Sequence, residues 1–278
     1  MTKDVVVVIG AGGIGQAIAR RQGAGRSVLL ADLNEGTLQS TTRALEAAGY
    51  SVTARRVDVS LRESVRALAQ AAAGLGRVVQ VVNTAGLSPV QAPPTAILAV
   101  DLLGTALVLE EFSQVIAAGG AGVMISSMAG YMLPPLDPAQ EHALAHTPSD
   151  ELLQLPFLGA EAIPNSGAAY ALSKHANHLR VQAASVAWGD RGARVNSISP
   201  GIILTPLAQE EMAGEGGPGY RAMIERSAAG RVGTTDEVAS AAAFLLGPDA
   251  SFITGSDLLM DGGVIAALRA GRLQVNLR

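Results

Sequence analysis

The sequence predicts an α/β fold, doubly wound about a central, mainly parallel, seven-stranded sheet. Two observations carry that prediction. Apolar runs rich in Val, Ile and Leu recur at residues 5–9, 27–31, 51–57, 78–82, 122–126, 194–198 and 257–260. Each of the first four is followed by a longer stretch of helical period, such as residues 61–73. Apolar strands alternating with helices are the pattern of a parallel sheet covered on both faces. Such sheets bind ligands at the carboxyl ends of their strands.

Composition narrows the possibilities. The chain has 278 residues, enough for one large domain over residues 1–278, and no linker or repeat divides it. There is no cysteine, which removes disulfides and thiolate chemistry. The net charge of −4 gives no support for nucleic-acid binding. Residues 1–4 lack the features of a signal peptide, and uncharged stretches such as 119–136 are broken by Gly, Ser and Pro. A cytoplasmic protein with no nucleic-acid or membrane partner is expected.

The first apolar run leads into Gly10-Ala11-Gly12-Gly13-Ile14-Gly15, with a helix expected to begin near Gln16. This is G-x-G-x-x-G between a strand and a helix, the Rossmann-type dinucleotide fingerprint. Glycines let the backbone approach a pyrophosphate, and a helix N-terminus supplies unpaired N–H groups. Asp32 ends the second run, where a carboxylate can bind ribose hydroxyls and would repel a 2′-phosphate. NAD is therefore the expected cofactor. Arg26 precedes that strand and is a weak argument for NADP.

Residues 128–169 break the rhythm. They hold Pro134, Pro135, Pro138, Pro148, Pro156 and Pro164, and acids but no Lys or Arg. A surface insertion is expected, with short helices at 139–145 and 149–155. His142 and His146 have helical metal-pair spacing, yet no third ligand completes a set, so no metal is expected.

Tyr170 and Lys174 stand one helical turn apart on one face. A cation about 4 Å away is worth roughly 4 kcal/mol at an effective dielectric near 20. The expectation is a phenol acidified toward neutrality and suited to general acid/base work.

These features resemble the short-chain dehydrogenase/reductase family. Asn83-Thr84-Ala85-Gly86 is similar to the family element that closes the fourth strand beside the cofactor. Asp58 and Val59 stand where the family contacts adenine, and Leu33 follows Asp32. Ser126-Ser127-Met128-Ala129-Gly130 resembles the segment whose second serine is catalytic. Tyr170-Ala-Leu-Ser-Lys174 matches the Y-x-x-x-K pair. Asn196 to Gly201, with Ile203 and Thr205, resembles the segment that meets the nicotinamide, Pro200 and Gly201 included. Arg231-Val232-Gly233, Asp236 to Ala239 and Asp261-Gly262-Gly263 complete the likeness, which covers residues 4 to 265 apart from the insertion.

The resemblance implies an NAD(H)-dependent oxidoreductase interconverting a secondary alcohol and a ketone. Ser127 would hold the substrate oxygen, Tyr170 would exchange its proton, and Lys174 would tune Tyr170 and bind the nicotinamide ribose. The cofactor set implied is Gly10, Gly12, Gly13, Ile14, Gly15, Asp32, Leu33, Asp58, Val59, Asn83, Ala85, Gly86, Tyr170, Lys174, Pro200, Gly201, Ile203 and Thr205.

Three departures stand out. The glycine loop is one residue shorter than the family's, with Ile9 in place of a threonine. Asp101 stands where the family has an asparagine of the proton relay, adding a charge near Lys174. The insertion of 42 residues between Ser127 and Tyr170 is long, as in some carbonyl reductases and hydroxysteroid dehydrogenases of the family.

Residues 202–229, rich in glycine, are expected to form a flap over the substrate. Leu204, Leu207, Met212 and Met223, with Met132 and Leu133, point to an apolar substrate, hydroxysteroid-like or a bulky carbonyl. The tail 264–278, with Arg269, Arg272 and Arg278, is expected to pack on a partner in a homodimer or homotetramer. The rival readings are a non-catalytic nucleotide sensor, for which Asp101 argues, and a sugar-nucleotide epimerase, for which the chain is too short beyond Gly263.

Overall fold

The computed structural model describes residues 3–159, 161–214 and 216–274. Its elements, in order, are β1 Asp4–Ile9, α1 Gly13–Gln22, β2 Ser27–Asp32, α2 Glu35–Ala47, β3 Ser51–Arg56, α3 Arg62–Leu75 and β4 Arg77–Asn83. Then come α4 Pro94–Ile97, a π-helical segment Leu98–Leu103, α5 Gly104–Ser113 and β5 Ile116–Ile125. The insertion holds a 3₁₀ turn Met128–Tyr131, α6 Pro138–His146, α7 Ser149–Leu152 and a 3₁₀ turn Pro156–Leu158. The chain continues with α8 Ser166–Asp190, β6 Arg194–Pro200, α9 Pro206–Ala213, α10 Gly217–Arg226, α11 Thr235–Leu246, a 3₁₀ turn Pro248–Ala250, β7 Asp257–Met260 and α12 Val264–Arg269.

The strands form one seven-stranded sheet in the order β3-β2-β1-β4-β5-β6-β7. Every pairing in it is parallel. The order reverses between β1 and β4, which opens a crevice at their carboxyl ends.

Alternation along each strand builds the two layers. Val5, Val7, Ile9 and Leu29 face α3, α5 and α8, including Phe112 and Trp188. Val6, Val8, Val28 and Leu30 face α1, α2 and α11. Each such buried aliphatic side chain contributes about 1.5–3 kcal/mol relative to exposure. Trp188 is fully buried and donates its indole N–H to the Leu109 carbonyl at 3.0 Å, which anchors the far end of α8.

Four details differ from the sequence expectation. The first helix begins at Gly13 rather than near Gln16, so half of the glycine loop is already helical. Strand β5 starts at Ile116, because Gly119 at φ +77° and the small residues around it hide the strand from a β-branched pattern. Strand β3 is an exposed edge rather than a buried run. Helix α7 stops at Leu152, in keeping with Pro156 disfavouring helical geometry at Leu155.

The insertion packs on the π segment and α8. Leu144, Leu152, Leu158 and Ile163 are buried with Ile97, Leu102, Leu172 and Ala176. Arg180 of α8 donates to the carbonyls of Leu144 and Thr147 at 2.8 and 3.0 Å, tying down the end of α6. Arg62 joins Asp150 at 2.9 Å and Glu111 at 2.9 Å. Among the described residues no helix is long and apolar enough to cross a membrane.

Candidate active site

The glycine loop owes its shape to close backbone approach. Gly10 has φ +96°, and a methyl group there would lie 2.8 Å from the Ala85 nitrogen. Gly15 has no room for a side chain beside the Gly10 carbonyl. Gly12 differs: a methyl group there would meet nothing within 4 Å. Gly12 caps α1 without a side-chain bond, so no capping side chain occupies the first-turn N–H groups. This site therefore fits a dinucleotide pyrophosphate.

Asp32 stands ready at the end of β2. Its Oδ2 accepts from the Ala11 N–H at 2.7 Å and its Oδ1 from the Asn34 N–H at 2.8 Å. Leu33 beside it is exposed. Arg26 sits at the opposite end of β2, donating to the Gln22 carbonyl at 3.1 Å, so it lies away from this carboxylate. Asp58 accepts from Ser60 and shapes the turn after β3, while buried Val59 packs on Gly104. Asn83 accepts from the Ala85 N–H at 3.2 Å, and the Thr84 hydroxyl donates to the Gly10 carbonyl at 3.0 Å, which stitches the end of β4 to the glycine loop.

The carboxyl ends of the strands open into a cavity of about 350 Å³. Ser127, Tyr170 and Lys174 share its wall with Ile14, Gly86 and Asp101. Pro200, Gly201, Ile203 and Thr205 close another side. Gly10, Gly12, Gly13, Gly15, Asp32, Leu33, Asp58, Val59, Asn83 and Ala85 are not on this wall; they lie along the adjoining ends of β1 to β4.

Ser127 is extended at φ −164°, and its Oγ accepts from the Ala129 N–H at 3.2 Å. Helix α8 starts at a side-chain cap, Asn165 Oδ1 accepting from the Ala168 N–H at 2.9 Å. That cap fixes the turns carrying Tyr170 and Lys174. Lys174 Nζ lies 5.1 Å from the Tyr170 ring centroid.

Asp101 alters the electrostatics of this pair. Its side chain is fully buried, and Oδ2 lies 2.9 Å from Lys174 Nζ. The contact is short but poorly aligned for a hydrogen bond, leaving Oδ2 with no other partner. Oδ1 accepts from the Leu87 N–H at 2.8 Å. Gly86 permits this approach, since a methyl group there would lie 3.1 Å from Oδ2 and 3.3 Å from Nζ. Asp101 sits in the π segment, a helical irregularity common at functional sites.

The acidified phenol that the sequence suggested is not what this arrangement produces. Burial pushes the Tyr170 phenol above its ordinary range; Lys174 and Ser127 pull it down, and Asp101 pushes it up again. Burial also raises the Asp101 carboxyl against the pull of Lys174. Lys174 itself is held above its ordinary range, because Asp101 and the phenol outweigh the effect of burial. The correction has two physical causes: burial of the phenol outweighs the pull of Lys174, and the Lys174 charge is shared with a carboxylate at ion-pair distance.

Other expectations shift in detail. Leu207, Met223 and Met132 line the cavity; Leu204 is exposed, and Met212 and Leu133 pack elsewhere. His178 meets Ser199 Oγ at 2.8 Å, and His175 meets Glu141 at 3.3 Å. The His142 and His146 rings meet at a tilt of 46°, with centroids 4.6 Å apart. Arg269 lies over the Tyr131 ring of its own chain, and residues 275–278, Arg278 included, lie outside the described residues. Sequence reasoning missed Glu211 and Tyr220, which enter the cavity wall from α9 and α10.

A parallel sheet whose switch point joins a glycine-walled helix N-terminus to a serine, tyrosine and lysine defines a dinucleotide-binding α/β class. Known proteins agree. The family model described as short chain dehydrogenase matches residues 4–139, and the one described as enoyl-(acyl carrier protein) reductase matches residues 139–265. The chain is 44% identical to the short-chain dehydrogenase/reductase bsc3 of Alternaria brassicicola, over 96% of this chain and 98% of that one. It is 34% identical to 3beta-hydroxysteroid dehydrogenase 1 of Eggerthella lenta, over 94% and 93% of the two chains. A short-chain dehydrogenase/reductase structure from Serratia marcescens superposes with a TM-score of 0.74, covering 95% of this chain and 98% of that one at 23% identity, a likeness of fold. The chain belongs to the short-chain dehydrogenase/reductase family and is an oxidoreductase of that kind.

Proposed function

We propose that the protein is an NAD(H)-dependent oxidoreductase interconverting a secondary alcohol and a ketone on an apolar, hydroxysteroid-like or bulky carbonyl framework. The observation that carries this reading is the cavity wall shared by Ser127, Tyr170 and Lys174 next to the open N-terminus of α1.

When bound, the nicotinamide supplies the hydride acceptor or donor. Gly12 and the first turn of α1 hold the pyrophosphate, Asp32 binds the adenosine ribose hydroxyls, and Asp58 with Val59 borders the adenine. Asn83, Ala85, Gly86, Pro200, Gly201, Ile203 and Thr205 flank the nicotinamide half. Ser127 holds the substrate oxygen. Tyr170 takes the hydroxyl proton in oxidation and returns it to the carbonyl oxygen in reduction. Lys174 orients the nicotinamide ribose and opposes the burial that keeps Tyr170 protonated. A phenol held above its ordinary range stays protonated near neutrality but is a weaker acid, so the pull of Lys174 and Ser127 is what readies it for proton transfer. Residues 202–229, containing α9 and α10, act as a flap over the substrate.

Asp101 favours a second reading, a nucleotide-binding protein without turnover, since it neutralises the cation that would activate Tyr170. Both readings are tested by supplying NAD with a graded series of secondary alcohols, and NADH with the matching ketones. Cofactor turnover with apolar members supports the enzyme; tight cofactor binding without turnover across the series supports the alternative.

A further inference from the structure

One charge on the cavity wall has no part in the proposed chemistry. Glu211 of α9 and Tyr220 of α10 line the cavity together. Tyr220 Oη donates to Glu211 Oε2 at 3.1 Å. Burial, reinforced by that carboxylate, holds the Tyr220 phenol above its ordinary range, so it remains a donor. Both side chains act electrostatically on Tyr170, which places them on the reacting side of the cavity.

Beyond the Tyr220 hydroxyl, no cation offsets the charge of this carboxylate among the described residues. The other charged groups on the wall, Asp101 and Lys174, pair with each other at 2.9 Å. Among the described residues Glu211 makes no ion pair. The same wall is mostly apolar and includes Leu87, Met132, Leu207 and Met223. A half-buried carboxylate in apolar surroundings is costly unless a donor meets it, and hydrogen bonds to a charged acceptor are about twice as strong as neutral ones. A second carboxylate in the same cavity meets like charge and desolvation together.

We propose that Glu211, anchored by Tyr220, is a specificity-determining residue that binds a second polar group on the substrate. Its ligand is a hydrogen-bond donor, a hydroxyl or an ammonium, carried on an otherwise apolar alcohol or ketone. Substrates bearing a carboxylate are rejected. The inference rests on the alcohol–ketone reading for its substrate, while its test reads affinity alone.

The test uses three cyclohexanols that differ only at the ring carbon opposite the hydroxyl, which carries an amino, a methyl or a carboxylate group. Each is titrated calorimetrically into the protein saturated with reduced nicotinamide cofactor, so that no alcohol is oxidised. The ammonium form should bind at least about tenfold more tightly than the carboxylate form. Glu211→Gln should bring the ratio to about one, and Tyr220→Phe, which keeps the charge but removes its anchor, should lower it. Equal affinities in the unmodified protein, or a ratio that survives Glu211→Gln, would overturn the proposal. Turnover is followed separately with oxidised cofactor: its absence for every alcohol would count against the proposed reaction and leave the affinity ratio to decide this one.

Discussion

Asp101 and Lys174 tune the phenol proposed to stand between cofactor and substrate. Asp101 raises Tyr170 and Lys174 lowers it, on a background set by burial. Removing the carboxylate frees the ammonium to stabilise the phenolate, so the apparent pKa of the catalytic base should fall. For Asp101→Asn, the alkaline rise of kcat/KM in alcohol oxidation should therefore move to lower pH. Profiles of the two proteins, measured on one substrate, check this, and a shift to higher pH would refute it. The Asn83 to Gly86 turn, Ser127 and the Tyr170–Lys174 pair were legible in the sequence, because each is a short contiguous pattern. The ion pair was legible only as a nearby charge. Its strength depends on a π segment and on the bare Gly86 backbone, which no spacing rule reveals. Glu211 and Tyr220 were hidden for a similar reason: they belong to two helices and meet only through the fold.

At the level of elements, the glycine loop separates folding from binding. Gly12 faces open space, so Gly12→Ala should cost less than about 1 kcal/mol of stability at this helix cap. It should nevertheless weaken cofactor binding, because the new methyl group occupies the pyrophosphate space. Gly15→Ala has no room at the Gly10 carbonyl and should destabilise the fold itself. Denaturant melts and cofactor titrations of both variants distinguish the two roles. The insertion makes a comparable case. Its proline content and acidity marked it as a surface excursion, yet Leu144 and Leu152 are fully buried against the π segment and α8. Leu144→Ala should cost about 2–5 kcal/mol, as for a core leucine. A cost near zero, measured by chemical denaturation, would show that the insertion is not part of the core. Strand β5 was misjudged in the sequence because its first half is built of alanine and glycine.

For the molecule as a whole, the proposed cofactor and substrate sites lie at the carboxyl ends of the strands and exist only in the folded chain, so binding and stability are linked. A ligand at about 100 times its Kd adds roughly 2.7 kcal/mol to folding stability. From the ribose contact proposed for Asp32, NAD should raise Tm clearly more than NADP at equal concentration, and Asp32→Ala should narrow that gap. An equal rise with both cofactors would contradict the proposed preference. The doubly wound architecture was readable from the strand–helix rhythm, whereas the cavity's composition emerged only from packing. The central claim concerns one phenol, and it has a direct measurement: the rate of hydride transfer in Tyr170→Phe, with cofactor affinity measured on the same variant. Ring and backbone are kept, so cofactor binding should persist while turnover of a secondary alcohol falls by at least about 100-fold, the scale of a general acid/base contribution. Undiminished turnover with intact cofactor binding would contradict the assignment of Tyr170.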